Sequence, residues 1–160
     1  MEHVEERDLP RIASEAEQLW LHDEAIRLYQ RAVLSGETGL EGHMAWLLEQ
    51  AGRVDEAIDW YQGAAEAGDP GAVVLAAGLL EGVGRIEEAV GWLQQRTEAG
   101  DRAAMVLAAG LLESAGRVEE ALDWYQRAAE AGDRVAMLLA AELLKKLGRH
   151  NEAAAGSRPG

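Results

Sequence analysis

One stretch of this sequence recurs at a fixed interval, and the recurrence limits the possible folds more than any other feature. The stretch GRVEEALDWYQRAAEAGD, residues 116–133, has a counterpart 32 residues earlier, GRIEEAVGWLQQRTEAGD, and another 32 residues before that, GRVDEAIDWYQGAAEAGD. A divergent copy, HDEAIRLYQRAVLSGE, covers residues 22–37, and a decayed copy begins at Gly148. Such a period is typical of repeat arrays, in which each unit packs on its neighbours. The 160 residues therefore predict about four and a half units.

The composition favours helices and limits the possible partners. Hydrophobic residues make up 48% of the chain, with no Phe, and they are mostly Ala and Leu. The net charge of −14 would repel nucleic acids and anionic lipids, and it would attract a basic partner or simply keep the chain soluble. No apolar run is long enough to span a membrane, and without Cys there is no disulfide framework. The acidic N-terminus predicts a cytoplasmic protein, and the Arg-rich, Lys-poor composition suggests a bacterial source.

Each unit contains two helical patterns with turn signals between them. The apolar spacing predicts helices at 9–20, from His22 through Val33, 40–50, 54–67, 71–81, 86–99, 103–114, 118–131 and 135–147. Gly52 is expected in the left-handed conformation that ends a helix. Asp69 is expected to be an N-cap, with Pro70 at the first helical position, and Asp101 and Asp133 have the same phase.

The same phasing predicts how the chain is divided. Residues 1–8 are expected to form a flexible N-terminus, and residues 151–160 a flexible C-terminal tail. Residues 9–150 form a single repeat domain in this prediction, with units at about 9–36, 37–68, 69–100, 101–132 and 133–150. None of the helices is long enough to be stable alone in water, so each must bury its apolar stripe on its neighbours.

The second helix of each unit carries a small residue followed four positions later by a large one. The pairs are Ala25/Tyr29, Ala57/Tyr61, Ala89/Leu93 and Ala121/Tyr125. This spacing resembles the A-x3-F pattern of the tetratricopeptide repeat, with Tyr in place of Phe. The 32-residue period and the endings WYQRAAEAGD and WYQGAAEAGD resemble the Sel-like relatives of that family. The resemblance implies an all-α, right-handed α-solenoid of antiparallel helix pairs that serves as a scaffold for another protein.

In that family the first helices line a concave groove. The corresponding residues here are Val74, Gly78 and Glu81, then Val106, Gly110 and Glu113, then Leu138, Glu142 and Lys145. They contain no basic clamp for a peptide carboxylate, and Trp46 lies at the groove phase near one end. We therefore expect a continuous apolar groove with an acidic margin. Its expected partner is a protein or peptide, such as an apolar or basic amphipathic helix, and the predicted binding residues are Trp46, Val74, Gly78, Val106, Gly110, Leu138 and Glu142.

Two further rows of residues recur once per unit. Trp60, Trp92 and Trp124 share one phase, which fits packing between repeats or an aromatic flank that partners touch. The arginines that follow the turn glycines are Arg53, Arg85, Arg117 and Arg149. They could clamp an acidic peptide, but the acidic residues close behind them favour local ion pairs.

No pattern for catalysis, cofactor binding or metal binding is present in the sequence. His22 and His150 have the same phase but lie four units apart, too far to share a metal. The adjacent acids at helix starts, such as Asp55 and Glu56, suit the helix dipole rather than acid–base chemistry. We therefore predict a non-enzymatic protein-interaction scaffold. A self-assembling homo-oligomer is the alternative, and an enzyme or small-molecule sensor is less favoured.

Overall fold

A computed structural model describes the backbone of residues 5–156 and the side chains of residues 5–148. Over these residues the chain forms a short 3-10 helix, Glu6–Asp8, and nine α-helices, with no strand. The α-helices are α1 Leu9–Gln18, α2 His22–Leu34, α3 Glu41–Gln50, α4 Val54–Glu66, α5 Pro70–Gly82, α6 Ile86–Glu98, α7 Ala103–Ser114, α8 Val118–Glu130 and α9 Arg134–Gly156. The prediction of an all-α, tetratricopeptide-like fold is confirmed.

Contacts between residues group the helices into two compact units. Unit 1 extends to Leu79 and contains α1 to α4 and most of α5, while unit 2 begins at Leu80 and contains α6 to α9. In unit 1, α1 packs on α2, α2 on α3 and α3 on α4, and in unit 2, α6 packs on α7, α7 on α8 and α8 on α9. Short turns join them, so neighbouring helices run antiparallel. The single domain and the repeat boundaries over residues 9–150 stay predictions.

The turn after α3 shows why the helix boundaries follow the repeat. Gly52 has a φ of +74°, a left-handed conformation that side chains disfavour, and this prediction is confirmed. The N–H of Arg53 then donates to the carbonyl oxygen of Leu48 at 2.9 Å, and the N–H of Gly52 donates to Glu49 at 3.0 Å. These two bonds satisfy carbonyl groups that the end of a helix otherwise leaves without partners.

Aspartates cap two of the helices as predicted. Oδ1 of Asp69 accepts a hydrogen bond from the N–H of Gly71 at 2.9 Å at the start of α5. Oδ1 of Asp133 accepts one from the N–H of Ala136 at 2.9 Å at the start of α9. Each bond satisfies a backbone donor in the first turn of its helix.

The prediction that Asp101 caps α7 is wrong. Helix α7 begins at Ala103, and Arg102 before it provides no side-chain cap. The Asp101 carboxylate instead lies 3.4 Å from Nη2 of Arg96. Arg96 stands where the neighbouring copies have Ala64 and Ala128. Only this copy therefore offers its aspartate a cation, and a charged partner competes effectively with backbone N–H groups.

Both ends of the chain contain more helix than expected. Glu6–Asp8 form a 3-10 helix within the predicted flexible N-terminus. Helix α9 continues to Gly156, beyond the predicted end at Leu147 and into the predicted tail. The three alanines at 153–155 have the highest intrinsic helix propensity, which favours this continuation. Residues 1–4 and 157–160 lie outside the described residues, as do the side chains from residue 149 onward.

Alanines at the helix crossings allow close packing in both units. In unit 1, Ala13, Ala25 and Ala57 are fully buried, and the larger Leu48 and Tyr61 fill the space beside such contacts. In unit 2, fully buried Ala89, Ala108 and Ala121 have the same role, together with Leu93 and Leu112. Small side chains let helix axes approach one another, and the larger ones keep the interior densely packed.

Candidate functional site

Unit 1 contains a cavity of about 750 Å³ between three consecutive helices. It lies along the length of α3, the C-terminal half of α4 and the first turns of α5. Its apolar walls include Trp46, Leu75 and Ala72, and its polar walls include Glu49 and Asp69. We call this cavity the unit 1 groove. Its volume is within the range of about 300–1,000 Å³ that is common for binding sites.

Unit 2 has the equivalent cavity two repeats later, but its volume is only about 230 Å³. One wall has the same residues in both cavities, because Ala64 and Ala67 in unit 1 correspond to Ala128 and Ala131 in unit 2. The opposite wall differs: Thr38, Glu41 and Gly42 are replaced by Arg102, Met105 and Val106. Arg102 is longer than Thr38, and Val106 has a side chain where Gly42 has none, so this wall leaves less space in unit 2. Both units therefore have the same arrangement of helices around the cavity. The side chains of one wall determine that the cavity is larger in unit 1.

The unit 1 groove is acidic. Glu41, Glu49 and Asp69 line it, and no lysine or arginine does so in the described part of the chain. Asp69 is already bonded to the start of α5, so the two glutamates are the groups that can meet a ligand. A cleft lined by one sign of charge concentrates ligands of the opposite sign.

A tyrosine orients the glutamate of this groove, and the arrangement recurs. The hydroxyl group of Tyr61 donates to Oε2 of Glu49 at 3.2 Å. Tyr29 donates likewise to Glu17 at 3.4 Å, and Tyr125 donates to Glu113 at 3.0 Å. Burial, with the nearby Glu49 charge, raises the pKa of Tyr61 to about 12. Each tyrosine therefore remains a donor at neutral pH and ties the second helix of its repeat to the first.

A second cavity of unit 1, of about 480 Å³, lies between α1, α2 and the start of α3. We call it the aromatic cavity, because Trp20, Tyr29, His43 and Trp46 line it together with Glu17. Nε2 of His43 lies 2.8 Å from Oε2 of Glu17, and its ring stacks on Trp46 with 5.6 Å between centroids and 23° between planes. The same imidazole meets Tyr29 edge-on at 5.2 Å. His43 and Trp46 line both cavities, so the two are adjacent.

Trp20 was not among the predicted site residues, although the repeat register gives a signal for it. It occupies the position of Gly52 in the next copy and has a φ of +61°, the left-handed conformation that glycine adopts there. Its side chain is 80% exposed. A tryptophan in this conformation is strained, and such strain is concentrated at functional sites.

The predicted binding residues lie in both units. Trp46 is 43% exposed and lines both unit 1 cavities. Val74 and Gly78 are exposed on α5, where Leu75 rather than Val74 lines the groove. Val106 and Gly110 are half-buried in α7, whereas Leu138 and Glu142 are exposed on α9. The roles of these residues in binding stay predictions.

The two repeated rows pack mainly within the chain. Trp60 packs against the unit 1 core and is partly buried, as is Trp92. Trp124 is buried, with the guanidinium carbon of Arg127 4.6 Å from its ring centroid. The arginines form the local ion pairs that the sequence favoured: Arg53 with Glu56, Arg85 with Glu88, and Arg117 with Glu120. The side chain of Arg149 lies outside the described residues.

The described residues provide neither a membrane span nor a cluster of metal ligands. No helix there is long and apolar enough to cross a membrane. No group of three or more His, Cys, Asp or Glu side chains in that part of the chain is placed to hold a metal ion.

Solved structures provide the first comparison. The chain is similar to MamA 41-end from Desulfovibrio magneticus RS-1, with 13% identity, a TM-score of 0.54, and coverage of 96% of this chain and 91% of that one. A crystal structure of MamA protein gives 14% identity, a TM-score of 0.56, and coverage of 94% and 86%. At these identities the likeness shows the fold alone. No curated protein sequence matches the chain significantly.

Protein families provide the second comparison. The Sel1 repeat matches residues 22–37 and 107–133, which contain all of α2, most of α7 and all of α8. The tetratricopeptide repeat matches residues 42–71, which contain most of α3, all of α4 and part of the walls of the unit 1 groove. The chain therefore contains Sel1-type repeats and a tetratricopeptide repeat at these residues.

Proposed function

We propose that this chain is a protein-interaction scaffold whose unit 1 groove binds a basic amphipathic helix of a partner. The observation that carries the proposal is a cavity of about 750 Å³ in which exposed apolar side chains lie beside carboxylates. Repeats of this family serve protein or peptide binding, which supports the general role. The acidic lining supports the basic character of the partner.

The groove offers each face of such a helix a counterpart. Apolar residues of the partner would pack on Trp46 and Leu75, both of which are exposed to solvent in the free chain. Basic residues on the flanks would meet Glu41 and Glu49. Because Tyr61 already orients Glu49, binding would require little additional ordering of that side chain. Apolar anchors would provide most of the affinity, and the charges would favour fast association and selectivity.

The other predicted residues belong to the same proposal. Val74 and Gly78 would extend the unit 1 surface along α5. In unit 2 we propose a separate contact surface formed by Val106 and Gly110 on α7 and by Leu138 and Glu142 on α9. Val106→Asp should weaken a contact there. Undiminished binding by a folded Val106→Asp protein would remove unit 2 from the proposal.

The experiment uses a labelled amphipathic peptide of leucine and lysine, with a leucine and glutamate peptide of the same pattern as its control. Fluorescence anisotropy should show saturable binding of the lysine peptide only. Leu75→Asp should weaken that binding at least tenfold, whereas Leu34→Asp should not, because Leu34 is exposed outside the groove. Both substitutions add one negative charge. Attraction by charge alone would therefore leave both variants binding as tightly as the parent. That result would contradict binding of the peptide in the unit 1 groove.

Exposed apolar residues on α9 favour one second candidate, assembly of the chain with itself. Val135, Met137, Leu138 and Leu144 are 48% to 68% exposed. Apolar surface of this kind is usually covered by a partner when it is contiguous. Light scattering over a range of protein concentrations tests this candidate. A mass that increases with concentration in the parent but not in Leu138→Asp would support it, and a constant monomer mass would exclude it.

We further propose that the protein is cytoplasmic and is not an enzyme. The polar groups of the unit 1 groove support the second point, since Asp69 caps a helix and Glu49 is bonded to Tyr61. An acid–base pair would instead need two carboxyl groups that converge in environments with different effects on their pKa values.

A further inference from the structure

The aromatic cavity of unit 1 combines two features that attract cations. The rings of Trp20, Tyr29 and Trp46 line it, and their faces carry partial negative charge. Glu17 adds a full negative charge. Along the described residues no lysine or arginine lines this cavity. Nothing positive within the wall therefore neutralises these groups, except His43 when it is protonated.

We propose that the aromatic cavity binds the side chain of an arginine from the protein partner, with its guanidinium between the aromatic rings and the Glu17 carboxylate. The inference rests on the proposed function only in one respect, namely that a protein carries the arginine. The volume of about 480 Å³ is ample for one such side chain. Because the cavity shares His43 and Trp46 with the unit 1 groove, a peptide in the groove could place an arginine there.

The existing contacts favour a planar cation over a compact ammonium group. The flat His43 ring stacks on Trp46 while its Nε2 contacts Glu17, a combination that a guanidinium can also make. Elsewhere in the chain, the Arg127 guanidinium lies over the ring of Trp124 at 4.6 Å. Tyr29 and His43 both contact Oε2 of Glu17. Oε1 is thus the acceptor that a new N–H donor would use.

Two independent observations indicate that the wall is built for a ligand. Trp20 keeps a left-handed backbone where the next copy has Gly52, although its exposed ring gains little burial in return. Nδ1 of His22, which lines the same cavity, is buried and has no hydrogen-bond partner among the described residues. A strained aromatic side chain beside an unsatisfied polar atom is expected where a bound group completes the contacts.

The test titrates the ¹⁵N-labelled protein with N-acetyl-arginine-N-methylamide and follows the indole N–H signals of the five tryptophans by NMR. The citrulline derivative, which is neutral and nearly the same shape, is the control ligand, and the lysine and trimethyl-lysine derivatives test selectivity. We expect saturable shifts of the Trp20 and Trp46 signals with arginine, and affinity roughly tenfold weaker or worse with citrulline. Lysine should bind more weakly than arginine.

Two variants test the residues. Trp20→Gly should abolish the shift at Trp46 while the protein stays folded, since other copies carry glycine at this position. Glu17→Gln should weaken arginine binding at least severalfold, whereas Glu113→Gln, which changes the equivalent Tyr125 partner in unit 2, should not.

Three outcomes would overturn the assignment: no shift with arginine, equal shifts with citrulline, or stronger binding of trimethyl-lysine than of arginine. These small probes contain no helix. The arginine site can therefore fail while the leucine and lysine peptide still binds the unit 1 groove, and the groove can fail while arginine still binds.

Discussion

The hydroxyl group of Tyr61 donates a hydrogen bond of 3.2 Å to Oε2 of Glu49, and this bond joins the two helices of one repeat at the wall of the unit 1 groove. The tyrosine ring is almost fully buried, while the carboxylate faces the cavity. One residue pair thus contributes both to the packing of α3 on α4 and to the charge of the site.

This pair predicts a loss of stability at alkaline pH. An unfolded tyrosine loses its proton near pH 10, whereas burial raises the pKa of Tyr61 to about 12. Below pH 10 the residue is protonated in both states, and its contribution is fully present. As the pH rises from 10 through 12, deprotonation favours the unfolded state, so the free energy of unfolding should fall.

The Tyr61→Phe variant isolates this effect. It should lose about 1 kcal/mol at pH 8, because the hydrogen bond to Glu49 is removed. It should also show a smaller further loss between pH 10 and 12 than the parent in urea unfolding. Tyr125→Phe in unit 2 should behave similarly, since the pKa of Tyr125 is also raised to about 12. If the free energy of unfolding changes with pH in the same way for the parent and both variants, burial does not raise the pKa of these tyrosines.

Trp20→Gly should stabilise the protein. A side chain in the left-handed conformation costs roughly 1–2 kcal/mol, and the greater freedom of glycine in the unfolded chain offsets part of the gain. We expect the free energy of unfolding to rise by about 1 kcal/mol or less in thermal or urea unfolding. Gly52→Ala, at the equivalent position with a φ of +74°, should lower it. Destabilisation by Trp20→Gly would show that packing of the indole outweighs its backbone strain.

Substitution by asparagine should have different effects on stability at Asp133 and at Asp101, which lie at equivalent helix starts. Asn caps a helix about as well as Asp, so Asp133→Asn should cost less than about 0.5 kcal/mol, while Asp133→Ala should cost about 1 kcal/mol. Asp101 instead pairs with partly buried Arg96. Both Asp101→Asn and Asp101→Ala should therefore cost about 1 kcal/mol, because each removes the charge. Equal behaviour of the two sites in urea unfolding would argue for capping at both.

Ala121→Trp should destabilise unit 2 by about 1–3 kcal/mol or more. Ala121 is fully buried in α8, and a large side chain there would force neighbouring helices apart. Gln126→Trp, on the exposed side of the same helix, is the matched control and should change the melting temperature little. A melting temperature of Ala121→Trp close to that of the parent would mean that this position is not a close contact.

The sequence by itself determined most helix boundaries to within a residue or two, although not the end of α9. Gly52 and Gly116 mark turns because only glycine adopts their left-handed backbone at little cost. Helix α7 was predicted at 103–114, where the structure has it. These features depend on residues only a few positions apart in the chain. They therefore recur wherever the sequence repeats.

Only the tertiary structure decided which side chains meet. Glu17 and His43 belong to different helices and come within 2.8 Å through packing, for which the sequence holds no local signal. Asp101 does not cap α7 for a similar reason. Its carboxylate pairs with Arg96, a side chain of the preceding helix. The groove exists in unit 1 because side chains from three helices leave space between them. Local backbone preferences repeat with the sequence, whereas cavities and ion pairs depend on contacts between helices that a single substitution can change.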